Sequence, residues 1–312
     1  MHRYIIKRLL FLIPTVLGVT LIIFAVMSLT PGNPGRMILG PNATAAEVEE
    51  MNQELGYYDP VLVRWGRYVI NVFTKGDFGQ SFSTKLGVVE ELWPRFLITL
   101  RLAIIILTIS VCIGVPLGIL SAVKQNTLMD TIPSMIAFFL AAVPSFVVGI
   151  TLMFVFSLQL NLLPSFGLSS VRHYILPIMS VVICEVTAYL RFTKSSMLES
   201  IRQDYVRTAR AKGVAEKTVI WRHALKNALL PVVTSIGMRF GALLAGMVTT
   251  EQLFSIPGVG SMIVESISMK DEPAVIGCAV MVSICFTLLM IGVDLIYAFI
   301  DPRIRAKYSK RR

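Results

Sequence analysis

Six stretches long and apolar enough to cross a bilayer run through this chain, near Leu9–Leu29, Leu97–Val123, Ile132–Leu158, Tyr174–Phe192, Leu229–Val248 and Ala274–Ile300. A spanning helix needs roughly 20 mostly apolar residues, and in hydrocarbon its backbone groups must be satisfied inside the segment. The expected fold class is therefore an all-α membrane protein with six transmembrane helices. A hydrophobic content of 55% with only 15% charge departs from an ordinary soluble domain in the same direction. The first run is too long, and too poorly followed by a small-residue cleavage site, to read as a removed leader. It is expected to stay as a helix.

The net charge of +10 raises the question of nucleic acid, but its distribution answers it. Arg3, Lys7 and Arg8 precede the first run, and Arg303, Arg305, Lys307, Lys310, Arg311 and Arg312 follow the last. Arg202, Arg207, Arg210, Lys212, Lys217, Arg222 and Lys226 fill the loop after the fourth run. Residues 30–96 instead carry six basic side chains against eight acidic ones. Lys and Arg collect on the cytoplasmic side of inserted helices. Six spans with both termini in the cytoplasm satisfy every cluster, so the charge records orientation, with no nucleic-acid partner implied.

The four cysteines, Cys112, Cys184, Cys278 and Cys285, all fall in apolar runs without CxxC spacing. They read as small buried hydrophobes, with no metal site or disulfide framework.

Four segments are expected. Residues 1–30 hold the first helix, 31–96 an extracytoplasmic loop, 97–303 the helical core with a cytoplasmic loop at 199–230, and 304–312 a basic cytoplasmic tail. In the outer loop Thr44-Ala-Ala-Glu47 is a capping box, with Val48, Met51 and Leu55 on one face and Gly56 as a stop. Asn42-Ala43-Thr44 matches a glycosylation acceptor but reads as that cap. Asp59-Pro60 opens a second helix, Val61, Trp65, Val69 and Phe73 repeat every four residues, and Gly76 ends it. Both amphipathic helices are expected on the outer membrane face or packed on the bundle. Breakers at Gly114, Pro116, Gly118, Pro144 and Gly149, and small residues at Gly241, Ala242, Ala245 and Gly246, read as packing features. Pro257-Gly258-Val259-Gly260 is a turn before a short helix at about Ser261–Ile267.

The remaining segment, Asp204–Pro231, is basic and helix-forming. Asp204 is expected to cap a helix through Tyr205, Arg207, Thr208, Ala209, Arg210, Ala211 and Lys212, and Gly213 suits the left-handed position that closes it. A second helix starts near Ala215, with Ile220, Ala224 and Ala228 in one row and Arg222 and Lys226 on another face. Pro231 predicts a kink or a fresh start where this helix meets the fifth span. Small Ala209, Ala211 and Gly213 at the tip would let a partner approach the backbone. Composition alone fits protein docking and contact with anionic headgroups equally.

Tyr205–Gly213 and the run Lys226-Asn227-Ala-Leu-Leu-Pro231 resemble the coupling loop of binding-protein-dependent ABC importer permeases of the peptide and nickel branch. Tyr4–Leu10, Pro31–Pro34, Gly76–Ser81, His173–Pro177, Ser255–Gly260 and Val293–Arg303 resemble further signatures, so the likeness spans essentially the whole chain. The general permease signature begins Glu-Ala-Ala where this chain has Arg207, Thr208 and Ala209, a substitution common in the peptide branch. The resemblance implies a permease subunit in a bacterial inner membrane, passing di- or oligopeptides, or alternatively nickel chelates or glutathione. It also implies a second homologous permease, two ABC ATPase subunits, an extracytoplasmic substrate-binding protein and surrounding lipid. ATP and Mg would belong to the ATPase subunits, because this chain has no G-x-x-x-x-G-K-[ST] loop.

Arg101, Glu185, Arg191, Arg239, Glu251 and Asp294 lie in or near apolar runs. Arg101, Arg191 and Glu251 read as interfacial and snorkelling. Glu185, Arg239 and Asp294 lie deeper, and either an internal ion pair or a cargo contact fits them. A secondary transporter using Glu185 and Asp294 as proton sites is the competing class. Its expected mark, an inverted repeat, is not apparent. His2, His173 and His223 are scattered, so no catalytic or metal constellation emerges.

Overall fold

The computed structural model describes residues 2–300, and the basic tail 304–312 lies outside them. The helices are α1 (His2–Leu29), α2 (Pro34–Leu39), α3 (Ala45–Glu54), α4 (Val61–Lys75), α5 (Val88–Val123), α6 (Leu128–Ala141) and α7 (Ser145–Leu152). After a π-helical stretch, Met153–Gln159, come α8 (Val171–Ile201), α9 (Asp204–Ala211) and α10 (Glu216–Thr218). A second π stretch, Val219–Ala224, leads into α11 (Leu225–Leu253), followed by α12 (Val259–Ser268) and α13 (Glu272–Ile300). Among the described residues the sole strand-like feature is an isolated bridge, Gln80–Gly87.

Among the described residues five helical segments are long and apolar enough to cross a membrane, and a sixth exists if the pair Leu128–Ala141 and Ser145–Gln159 counts as one. The expected third span, Ile132–Leu158 with its breaker at Pro144, is this pair, and it bends by 98°. Pro144 is the cause. It offers no N–H, and it drives the preceding residue out of the α region. The amides of Val147 and Val148 then start a new helix on the Pro144 carbonyl, at 3.0 and 3.3 Å.

The chain forms two compact units. The first is Arg101–Ile256 with the described residues from Leu289 on. In it α6, α7 and α11 pack on α8. Helix α5 approaches α8 closely enough that a Cβ at Gly114 would sit 2.8 Å from the Val186 carbonyl, and one at Gly118 2.7 Å from the Leu190 carbonyl. Small residues thus act as contact points, in the way membrane helices use them. The buried Asp130 joins three helices. It pairs with Lys194 on α8, accepts from Ser121 of α5 at 2.8 Å and takes the Asn126 amide at 3.1 Å.

The second unit is His2–Leu100 with Pro257–Leu288. Asn33 caps α2, a helix the sequence did not announce, by accepting the Arg36 amide at 3.0 Å. Thr44 and Glu47 form the reciprocal capping box on α3, and Gly56 and Gly76 adopt φ +64° where their helices stop. Helix α4 packs on α1 through Phe24, Val61, Trp65 and Tyr68, with Trp65 Nε1 donating to Thr20 Oγ1 at 3.1 Å. The every-four row drifts off this contact, and Phe73 is exposed, because 3.6 residues per turn carries the buried stripe from Trp65 to Tyr68. On the other side Leu92 and Phe96 of α5 meet Val259 and Met262 of α12 and Cys278 of α13.

Lys270, Asp271 and Glu272 are consecutive and buried, and each is claimed by a different segment. Lys270 donates to the Met27 and Thr30 carbonyls at the end of α1. Asp271 accepts from Ser81 Oγ at 2.5 Å and Ser83 Oγ at 3.0 Å. Glu272 pairs with Arg64 of α4.

Candidate functional site

The segment 204–231 folds as a helical hairpin. Gln203 stands at the N-cap of α9 without a side-chain bond, and Asp204 is the first helical residue. The expected cap is therefore shifted by one position, and Asp204 instead places negative charge at the positive end of the helix. At the other end Gly213 has φ +74°, its amide bonds the Arg210 carbonyl at 2.9 Å, and the Val214 amide bonds the Ala209 carbonyl at 3.3 Å. These two bonds are a Schellman stop, whose left-handed residue favours glycine.

Val206 and Ala209 lie one turn apart and close on Val219 and Ala224, with Val214 packed beside them. Ala209 is consequently buried, which corrects its expected place at an accessible tip. Arg207, Thr208, Arg210, Ala211, Lys212 and Gly213 remain exposed. Thr208 Oγ1 returns to the Asp204 carbonyl at 2.8 Å, and the Tyr205 hydroxyl meets Ser200 Oγ at 2.8 Å. Arg210 grips Glu216 across the turn by two bonds, 3.0 and 2.6 Å, which hold its guanidinium pKa above the usual value. Glu216 was not among the sequence candidates, although opposite charges flanking Gly213 were a readable signal.

The second arm is one continuous helical path from Glu216 to Leu253. Ile220, Ala224 and Ala228, which helical spacing sets in one row, are buried, while Arg222, Lys226 and Asn227 are exposed. Asn227 Nδ2 donates to the His223 carbonyl at 3.2 Å. No fresh start occurs at Pro231, which lies inside α11, and the irregularity is the π stretch before it. Helix α8 braces this path. Ser200 Oγ donates to the Ala224 carbonyl and Ser196 Oγ to the Ala228 carbonyl, each at 2.8 Å. The first bond holds the end of the π stretch to its neighbour, and the second holds the first turn of α11.

A second candidate lies deeper in the same unit. A cavity of ≈ 700 Å³ is bounded by the bend after α6, by α8 and by α11, and Glu185, Arg191 and Arg239 line it. Arg239 reaches Glu185 at 3.4 Å and lies 5.6 Å over the Tyr189 ring. Ala242, expected to serve helix packing, lines this cavity too. Arg101 and Arg191 are exposed, but Glu251 is fully buried and does not snorkel, since α11 carries it inward before the chain turns at Ser255. The side chains of Asp294 and Ala245, and the surroundings of Gly246, lie outside what the structure describes.

Residues 1–103 match the N-terminal model of binding-protein-dependent transport system membrane components, and residues 114–306 match the inner membrane component itself. The chain belongs to that family. It is a permease of an ATP-driven importer, an inner-membrane component and not an enzyme. The permease is 41% identical over 307 residues to the glutathione transport system permease protein GsiC of Salmonella paratyphi A, covering 98% of this chain and 100% of that one. GsiC of Escherichia coli K12 is 39% identical over the same 307 residues. Its fold is similar to that of the MetNI methionine ABC transporter, with TM-score 0.55 and 16% identity over 66% of this chain and 94% of that one. A solved amino acid ABC transporter gives TM-score 0.55 at 12% identity over 67% and 94%. Family membership implies an ATPase and a substrate-binding protein on other chains.

Proposed function

We propose that this permease, with a second related permease, forms the passage through which a binding protein delivers di- or oligopeptides, and that 204–231 is the handle for its ATPase. The charge clusters orient the chain with both termini and 199–230 in the cytoplasm and 31–96 outside. A peptide cargo is supported by relatives named for glutathione, itself a tripeptide, that align over 98% of the chain.

The observation that carries the coupling role is the build of the hairpin. Arg207, Ala211, Lys212 and Gly213 are exposed on a turn fixed beneath by Val206, Ala209, Val219 and Ala224. Its second arm runs without interruption into α11, which lines the cavity. A push on the tip is thereby transmitted to the passage, provided the ATPase contacts the tip differently in its two nucleotide states. Gly213→Trp and Lys212→Glu each test this, in cells that carry the whole importer. Both variants should insert normally, lose uptake by about tenfold or more and no longer couple ATP hydrolysis to the binding protein. Wild-type uptake by both would end the proposal.

A further inference from the structure

We infer that Glu185 and Arg239 form an exchangeable ion pair that holds a small zwitterionic cargo in the cavity, the cargo's carboxylate on Arg239 and its ammonium group on Glu185. The inference rests on the peptide-importer reading above and deepens it. Ionisable side chains at membrane depth are costly, and they usually face the bundle interior or a watery cavity. This pair does so from two facing helices, in a space within the usual small-ligand range of roughly 300–1,000 Å³.

The geometry separates this pair from the structural ones. Arg210 and Glu216 share two bonds, at 3.0 and 2.6 Å. Arg239 and Glu185 share a single contact at 3.4 Å, with side chains 37% and 22% exposed. Charge-assisted bonds are ordinarily about 2.7–2.9 Å, and a guanidinium gains most from a two-pronged carboxylate. A cargo carboxylate offers Arg239 that second prong, and a cargo ammonium group replaces the cation that Glu185 gives up. Neither side chain is then left as a bare charge at membrane depth.

Tyr189 fixes where the exchange occurs, because the Arg239 guanidinium lies over its ring. Arg191 adds a second cation to the lining, so two arginines against one glutamate leave the cavity at +1. A cargo with one carboxylate beyond its zwitterionic pair is the best match. Val181, Leu243 and Met247 supply apolar wall for its side chains.

The test uses the reconstituted importer without its binding protein, and it measures binding of trialanine, trialanine amide and N-acetyl-trialanine. Trialanine should bind saturably, and removing either terminal charge should weaken it by about tenfold. Arg239→Lys should weaken trialanine by a similar factor and leave the amide unchanged, and Glu185→Gln should do the same for trialanine and its acetyl form. The charge swap E185R/R239E supplies the contrast with a merely structural pair, which the swap would restore. Equal affinity for the three ligands, no saturable binding, or wild-type affinity for trialanine in the swap would overturn the assignment. Absence of ATP-dependent uptake by the wild-type assembly with its binding protein restored would instead count against the importer reading, so the two failures are distinguishable.

Discussion

Arg64 on α4 and Glu272 at the start of α13 form an ion pair whose side chains are each only 9% exposed. Both charges have left water, so each depends on the other, and the guanidinium also lies near the Phe24 and Tyr57 rings, at 5.9 and 6.0 Å. With Lys270 and Asp271 beside Glu272, three consecutive charges tie α1, α4 and the loop at 80–87 to the start of α13.

Removal of either partner should be far worse than removal of both. Glu272→Ala leaves a buried guanidinium without its counter-ion and should cost about 3–5 kcal/mol, whereas R64M/E272L, which keeps volume and discards both charges, should be near neutral. Thermal unfolding of the detergent-solubilised protein checks this. Single variants as stable as wild type would show that the pair is solvated.

Two glycine-to-alanine changes should have opposite signs. At Gly118 an added Cβ meets the Leu190 carbonyl and Thr193 Cβ, both at 2.7 Å, so α5 and α8 must separate at a cost of about 1–3 kcal/mol. At Gly66, inside α4, an added Cβ meets nothing within 4 Å, so the change should stabilise by roughly 0.5–1 kcal/mol through helix propensity. The same unfolding assay reads both.

The capping box should give α3 an acid-sensitive start. Glu47 accepts the Thr44 amide at 2.7 Å, and that bond lowers its carboxyl pKa below the usual glutamate value of 4.5. A depressed acid contributes stability above its unfolded pKa and loses it as pH falls through the native value. Amide exchange in the first turn of α3 should therefore accelerate as pH drops below 4.5, beyond the intrinsic pH dependence of exchange, and Glu47→Gln should remove that excess. An unchanged protection factor across this range would contradict the box.

Much of the molecule could be read from one dimension. Apolar length gave the spans, because a bilayer sets a minimum run and hydrocarbon forbids unsatisfied backbone. Local chemistry gave the helix ends at Thr44, Gly76 and Gly213, since caps and left-handed stops are satisfied within a few residues. That Ile220, Ala224 and Ala228 share one row followed from helical period alone, and the fold buries that row.

What the tertiary structure decided depends on partners distant in sequence. Ala209 is buried because Val219 and Ala224 return to cover it, which the tip's small-residue pattern could not reveal. The wide turn sits at 219–224 and not at Pro231, and Ser200 of α8 reaches across to the Ala224 carbonyl at its end. Glu185 and Arg239 are 54 residues apart, and only the packing of α8 against α11 made them a pair. Period and capping act over a few residues, whereas burial of a charge is settled by whichever helix arrives opposite it.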